Sequence, residues 1–120
     1  MILGLGNDII EIQRVKRACN TAGFLTRCFT NKELECFGEN YTSLAGNYAV
    51  KEAVAKAFGT GFRSFGLIDI EVLRDELGKP YVCLYGKALE MKNEMQVDNI
   101  HISISNLKDL VSAVAILERS

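Results

Sequence analysis

The sequence predicts an α+β domain in which helices, one of them long and central, pack on a mostly antiparallel sheet. Three observations carry that expectation. Strand-like and helical segments follow one another in the order β-α-α-α-β-β-α-β-β. A run of strong helix formers, Tyr48-Ala49-Val50-Lys51-Glu52-Ala53-Val54-Ala55-Lys56-Ala57-Phe58, stops at Gly59-Thr60-Gly61. Two later segments, Leu67 to Arg74 and Ile100 to Ser105, alternate apolar and polar residues as half-buried strands do. With 120 residues, 48% of them hydrophobic, and no linker, repeat or low-complexity stretch, the expected organisation is one domain over 1–120.

Met1 to Ile10 is apolar apart from Asn7, Asp8 and the glycines at 4 and 6, and is expected as a buried strand whose backbone is closely approached. Gly4-Leu5-Gly6 lacks the third glycine of a dinucleotide fingerprint, which excludes a Rossmann site. From Glu11 to about Asn20, Ile12, Val15 and Cys19 share one helical face and Arg14 and Arg17 the other. Thr30-Asn31-Lys32-Glu33 fits a capping box opening a short helix to Phe37. After a polar loop from Gly38 to Thr42, Ser43 is expected to cap the central helix, with Leu44, Tyr48 and Ala55 toward the core. Gly59 to Gly66 reads as a glycine-rich loop, flexible or close to a ligand. In the next segment Ile68, Ile70 and Val72 point one way, Asp69 and Glu71 the other. A turn over Asp75 to Pro80 joins it to Tyr81–Tyr85 as a hairpin. A helix from Lys87 to about Met95 precedes a strand with Ile100, Ile102 and Ile104 on one face and His101, Ser103 and Ser105 on the other. Leu110 to Leu117, dense in β-branched and small residues, is expected as the last, well-buried strand.

The formal net charge of −1 exerts no global pull on nucleic acid or a membrane surface. It is unevenly spread: between Glu11 and Phe29, Arg14, Lys16, Arg17 and Arg27 face a single acid. Four cysteines without C-x-x-C spacing, and one histidine, argue against zinc. Without a signal-peptide pattern they read as reduced thiols of a cytoplasmic protein, and no apolar run approaches a membrane span.

Glu52 and Lys56 lie one turn apart on one helix face, where a carboxylate able to hold a metal meets an ammonium able to meet a phosphate. As an ordinary surface pair they would contribute only about 0.2–0.5 kcal/mol. Asp8, where the first strand should reach the surface, either caps the following helix or joins Glu52 around a hard cation. Magnesium suits two such acids, since it takes one or two protein carboxylates and completes its shell with water and phosphate oxygens. Gly78-Lys79-Pro80 is either a plain hairpin turn or a loop presenting an ammonium to an anion. His101, Ser103 and Ser105 either line a cleft or meet water.

Together these segments resemble the holo-acyl-carrier-protein synthase family, the short class of 4′-phosphopantetheinyl transferases, over essentially the whole chain. The resemblance rests on Gly6-Asn7-Asp8-Ile9 with Glu11 and Arg14, on Ser43-Leu44-Ala45-Gly46-Asn47 continuing into the helical run through Gly61, on Gly78-Lys79-Pro80-Tyr81, and on His101-Ile102-Ser103-Ile104-Ser105. It implies transfer of the phosphopantetheine arm of coenzyme A to a serine of an apo acyl carrier protein in fatty acid biosynthesis, releasing adenosine 3′,5′-bisphosphate. It also implies Asp8, Glu52 and Lys56 as catalytic residues, with Asp8 and Glu52 as magnesium carboxylates and Glu52, directly or through water, taking the serine proton. Lys56, Gly59, Gly78, Lys79, Pro80, His101, Ser103 and Ser105 would border coenzyme A. Arg14, Arg17, Arg27 and Phe24 would dock the acidic carrier protein, and the chain would form a homotrimer with active sites between subunits.

Three residues depart from the family pattern. Asn47 stands where an arginine is usual, Asn106 where a histidine usually closes the last motif, and Asn7 in place of an apolar residue. The first two remove cationic capacity from the coenzyme A phosphate environment, at about 1.5–3 kcal/mol for each lost charge-assisted bond. Arg63 and Lys108 are candidate substitutes whose place the sequence does not give. Two other readings therefore stand beside the enzyme: a domain that binds coenzyme A or carrier protein with little transfer, and a purely structural oligomer subunit.

Overall fold

The computed structural model describes residues 1–120. Strand β1 (Ile2–Glu11) is followed by four helices, α1 (Ile12–Ala18), α2 (Phe24–Cys28), α3 (Asn31–Phe37) and the long α4 (Tyr41–Phe58). Two 3₁₀ turns, Gly61–Arg63 and Leu67–Asp69, lead to β2 (Ile70–Arg74), β3 (Pro80–Leu84), α5 (Gly86–Glu94), β4 (Asn99–Asn106) and β5 (Leu110–Glu118). β1, β5 and β4 form an antiparallel sheet in that order, while β2 and β3 pair separately as an antiparallel hairpin. The expected α+β class is therefore observed, with its strands divided between two sheets.

Helix α4 lies on the inner face of the three-stranded sheet. Ala49, Ala53 and Ala57 repeat every four residues along it, and all three are buried. Opposite them stand Gly4 and Gly6; a side chain at Gly4 would collide with the Ala57 carbonyl, and one at Gly6 with that of Ala53. The two backbones meet here because the strand offers glycines with no side chain and the helix offers nothing larger than a methyl group. Val111, Ala113, Ala115 and Leu117 of β5 supply the buried wall beneath Leu44, Val50, Val54 and Phe58 of α4. β5 is thus the well-buried strand expected, because it is flanked on both edges.

β1 differs from expectation. It is an edge strand, and Leu5 and Ile9 are each 65% exposed. Its inward positions are Gly4, Gly6, Asp8 and Ile10, so the glycines hid a two-faced alternation behind an apolar reading. The cap of α4 is Asn40 instead of Ser43: the Asn40 side chain accepts from the Ser43 amide at 3.1 Å, adding a partial turn at Tyr41. Helix α2, opened by Gly23 at φ 82°, was not anticipated. Leu67–Asp69 forms a 3₁₀ turn, so β2 begins only at Ile70, and Ile68 is exposed. Glu71, expected on a polar face, is buried because Thr30 Oγ1 and Tyr85 Oη donate to its two oxygens at 2.6 and 2.9 Å. The Thr30–Glu33 capping box and the left-handed stop at Gly59 form as the sequence predicts.

Candidate active site

Close contact between β1 and α4 sets the geometry of the carboxylates. Two residues beyond Gly6 on the same strand face, Asp8 emerges beside the helix stretch that carries Glu52 and Lys56. Lys56 Nζ donates to the Asn7 carbonyl at 2.9 Å and pairs with Asp8 Oδ1 at 3.4 Å. Burial pushes the Glu52 carboxyl above the ordinary glutamate range, and the neighbouring Asp8 charge pushes it further; the Tyr48 hydroxyl, Lys56 and Arg14 oppose the rise. Asp8, Glu52 and Lys56 therefore converge at one part-exposed point. No third His, Cys, Asp or Glu completes a metal cluster there. Two adjacent acids, one already raised by the other, suit a divalent ion that brings its own waters and phosphate oxygens.

The basic helix leads into this point. Arg14 and Phe24, with Ile10, Val15, Ala18 and Tyr48, line an apolar hollow of about 40 Å³. The Phe24 ring stacks on Tyr48 at 6.2 Å and meets Phe29 edge-on at 6.1 Å, so much of this expected docking anchor is engaged in internal packing. Arg17 is exposed, and Arg27, also exposed, returns a hydrogen bond from Nη1 to the Ala22 carbonyl at 3.3 Å.

Gly78 and Pro80 open on a different region, a polar cleft of about 240 Å³ beside the start of α4. Thr42, Ser43, Gly46, Arg74 and Asn106 share its walls. Lys79 is exposed on the turn, its amide held by Asp75 Oδ1 at 2.9 Å, and it does not line the cleft. Gly59 does not line the cleft; it closes α4 just beyond Lys56, with its amide bonded to the Lys56 carbonyl at 3.0 Å.

His101, Ser103 and Ser105 project from the outer face of the sheet, opposite α4. The register makes this plain: Ser103 and Asn7 flank Val114, and Ser105 and Ile9 flank Ser112, whereas Asp8 pairs with the buried, inward Ala113. His101 Nε2 lies 3.0 Å from Glu118. Within one chain, the serines and histidine do not join Asp8 and Glu52.

Asn47 does not line the cleft: it is wholly buried, donating from Nδ2 to Glu33 Oε2 and to the Val72 carbonyl, both at 2.9 Å. Beside it Lys51, also fully buried, pairs with Glu33 at 2.8 Å and donates to the Leu67 and Ile70 carbonyls. Burial lowers the Lys51 ammonium from the ordinary lysine range, and Glu33 pulls it back. Arg63 and Lys108 are exposed and do not line the cleft. The missed residue that does is Arg74. Its signal was present: Ile70, Val72 and Arg74 share a strand face, so an arginine stands where alternation calls for a core residue.

The sequence model of the 4′-phosphopantetheinyl transferase superfamily matches residues 4–115. A holo-[acyl-carrier-protein] synthase of Lachnoclostridium phytofermentans is 52% identical over 118 residues, covering 98% of this chain and 97% of that protein. The solved structure of holo-[acyl-carrier-protein] synthase from Neisseria meningitidis superposes with a TM-score of 0.88 at 36% identity, covering 99% of this chain and all of that one. A Bacillus anthracis holo-(acyl-carrier-protein) synthase in complex with CoA (3′,5′-ADP) gives 0.83 at 34% identity, covering 100% and 99%.

Proposed function

This chain belongs to the 4′-phosphopantetheinyl transferase superfamily, and from that membership we propose how its residues carry out the transfer of phosphopantetheine from coenzyme A to a serine of apo acyl carrier protein. The supporting observation is the meeting of Asp8 from β1 with Glu52 and Lys56 from α4. The serine oxygen attacks the phosphorus that bears pantetheine; the bond from that phosphorus to the bridging oxygen breaks, and adenosine 3′,5′-bisphosphate leaves. Glu52 takes the serine proton, directly or through a water. Lys56 places its ammonium where negative charge gathers on the departing phosphate. Asp8 holds Lys56 and completes the carboxylate pair. A magnesium ion held by Asp8 and Glu52 would offset the charge of the diphosphate.

Exposed Arg17 and Arg27, with Arg14 and Phe24 nearer the carboxylates, form the face for an acidic carrier protein, where opposite charge sets orientation and association rate. We assign the chain a homotrimeric assembly. The outer sheet face, with Leu5, Ile9, Val114 and Ile116 uncovered or half-covered, supports it, because His101, Ser103 and Ser105 on that face reach a carboxylate pair only in a neighbouring copy. The proposed setting is the cytoplasm, in fatty acid biosynthesis; four free cysteines fit it, and no helix is long and apolar enough to cross a membrane. Residues 1–120 act as one transferase domain in this reading.

Incubation with coenzyme A, magnesium and apo carrier protein, read by intact-protein mass spectrometry, tests the reaction. The carrier protein gains the arm with the wild-type chain and not with Glu52→Ala. Coenzyme A binding without any adduct would overturn the enzymatic reading.

A further inference from the structure

The cleft beside the start of α4 has an unusual feature: its only cationic side chain, Arg74, has no carboxylate within ion-pair distance. The guanidinium sits over the Phe37 ring at 4.9 Å, and Nη2 lies 3.7 Å from where a side chain at Gly46 would begin. Its one hydrogen bond is a long one, from Nη1 to the carbonyl of its own neighbour Leu73 at 3.3 Å. Burial depresses its proton affinity, with only Glu33 acting in the other direction. A half-buried, always-charged fork with free donors is stable in such a place when an anion completes it. Across from it stand the unengaged hydroxyls of Thr42 and Ser43, the amide of Asn106, and the backbone at Gly78 and Pro80. Gly46 keeps the helix surface bare in front of the guanidinium, which leaves room for a tetrahedral group.

We infer that Arg74 is the binding residue for the 3′-phosphate of coenzyme A in this chain, replacing from β2 the charge that Asn47 and Asn106 no longer supply. The inference rests on the proposed function, which makes coenzyme A the co-substrate. It explains how position 47 turns inward to Glu33 without leaving the cleft neutral: the cation arrives from the opposite wall. It also gives the cleft a chemical preference, for a phosphate monoester on a nucleotide over the same nucleotide without it.

The experiment compares coenzyme A with 3′-dephospho-coenzyme A by titration calorimetry, for wild type, Arg74→Met and Arg74→Lys. Methionine keeps the aliphatic stem against Phe37 and removes only the charged fork. Expected is a wild-type preference for coenzyme A of about tenfold or more, as loss of a charge-assisted pair implies. Arg74→Met should abolish that preference by weakening coenzyme A alone, with dephospho-coenzyme A held within about twofold and Arg74→Lys recovering part of the loss. Equal weakening of both ligands, or of neither, would overturn the assignment. Because binding is read without turnover, a chain that binds selectively but transfers nothing would refute the catalytic reading and leave this one standing.

Discussion

Removing the ammonium of Lys51 should unfold this protein far more readily than any surface substitution on α4. Lys51 and Glu33 are both fully buried, 2.8 Å apart. Glu33 Oε1 also accepts from the Thr30 amide at 3.0 Å, and Oε2 from Asn47 at 2.9 Å. In Lys51→Met those neutral donors remain, but the carboxylate loses its counter-charge and the Leu67 and Ile70 carbonyls lose their donor. Breaking a buried pair in this way costs about 3–5 kcal/mol. At about 3–6 °C per kcal/mol for a chain of this size, the melting temperature falls by about 10–30 °C. Urea denaturation of Lys51→Met, Glu33→Gln and the double variant measures the effect. The double variant, with no charge left in the core, should be less destabilised than the sum of the singles by about 1–3 kcal/mol. A cost below about 1 kcal/mol for Lys51→Met, with additive singles, would refute the claim that this pair locks α3 and β2 to α4.

Three other outcomes follow from the same contacts. Gly6→Ala must push β1 off the Ala53 carbonyl, so it should destabilise the fold by about 2 kcal/mol or more and disturb Asp8 relative to Glu52; chemical denaturation and carrier-protein labelling read the two effects. In metal-free protein the Glu52 carboxyl should titrate above the ordinary glutamate value, and Asp8→Asn should lower it by removing the like charge while burial remains. Since the folded state holds that proton more tightly, this group's contribution to stability declines as pH rises from the ordinary value through the raised one; carbon-13 NMR titration checks it, and an unmoved Asp8→Asn titration would place the two acids too far apart to interact. Arg17→Glu should raise KM for the carrier protein several-fold with little change in kcat, whereas Arg14→Glu should alter both, because Arg14 acts on Glu52; steady-state kinetics separates them.

The elements legible in the chain were those whose signal is local. The capping box at Thr30, the left-handed stop at Gly59, the β2–β3 hairpin and the alternation of β4 all depend on neighbours a few residues away. Where reading failed, a distant partner decided the outcome. Glu71 obeys alternation in pattern but is buried by Thr30 and Tyr85, and the inward turn of Asn47 depends on Glu33, fourteen residues away, receiving its amide.

Sequence alone determined the α+β class, the long helix with Glu52 and Lys56 a turn apart, the glycines of β1 and the motif set that marks the family. Only the tertiary structure decided that Asp8 joins them, because that depends on strand and helix backbones touching at Gly6 and Ala53. It alone put His101, Ser103 and Ser105 on the far side of the sheet and Arg74 in the cleft with Asn106. The periodicity of a strand says which residues share a face, but what that face meets is settled by elements far along the chain.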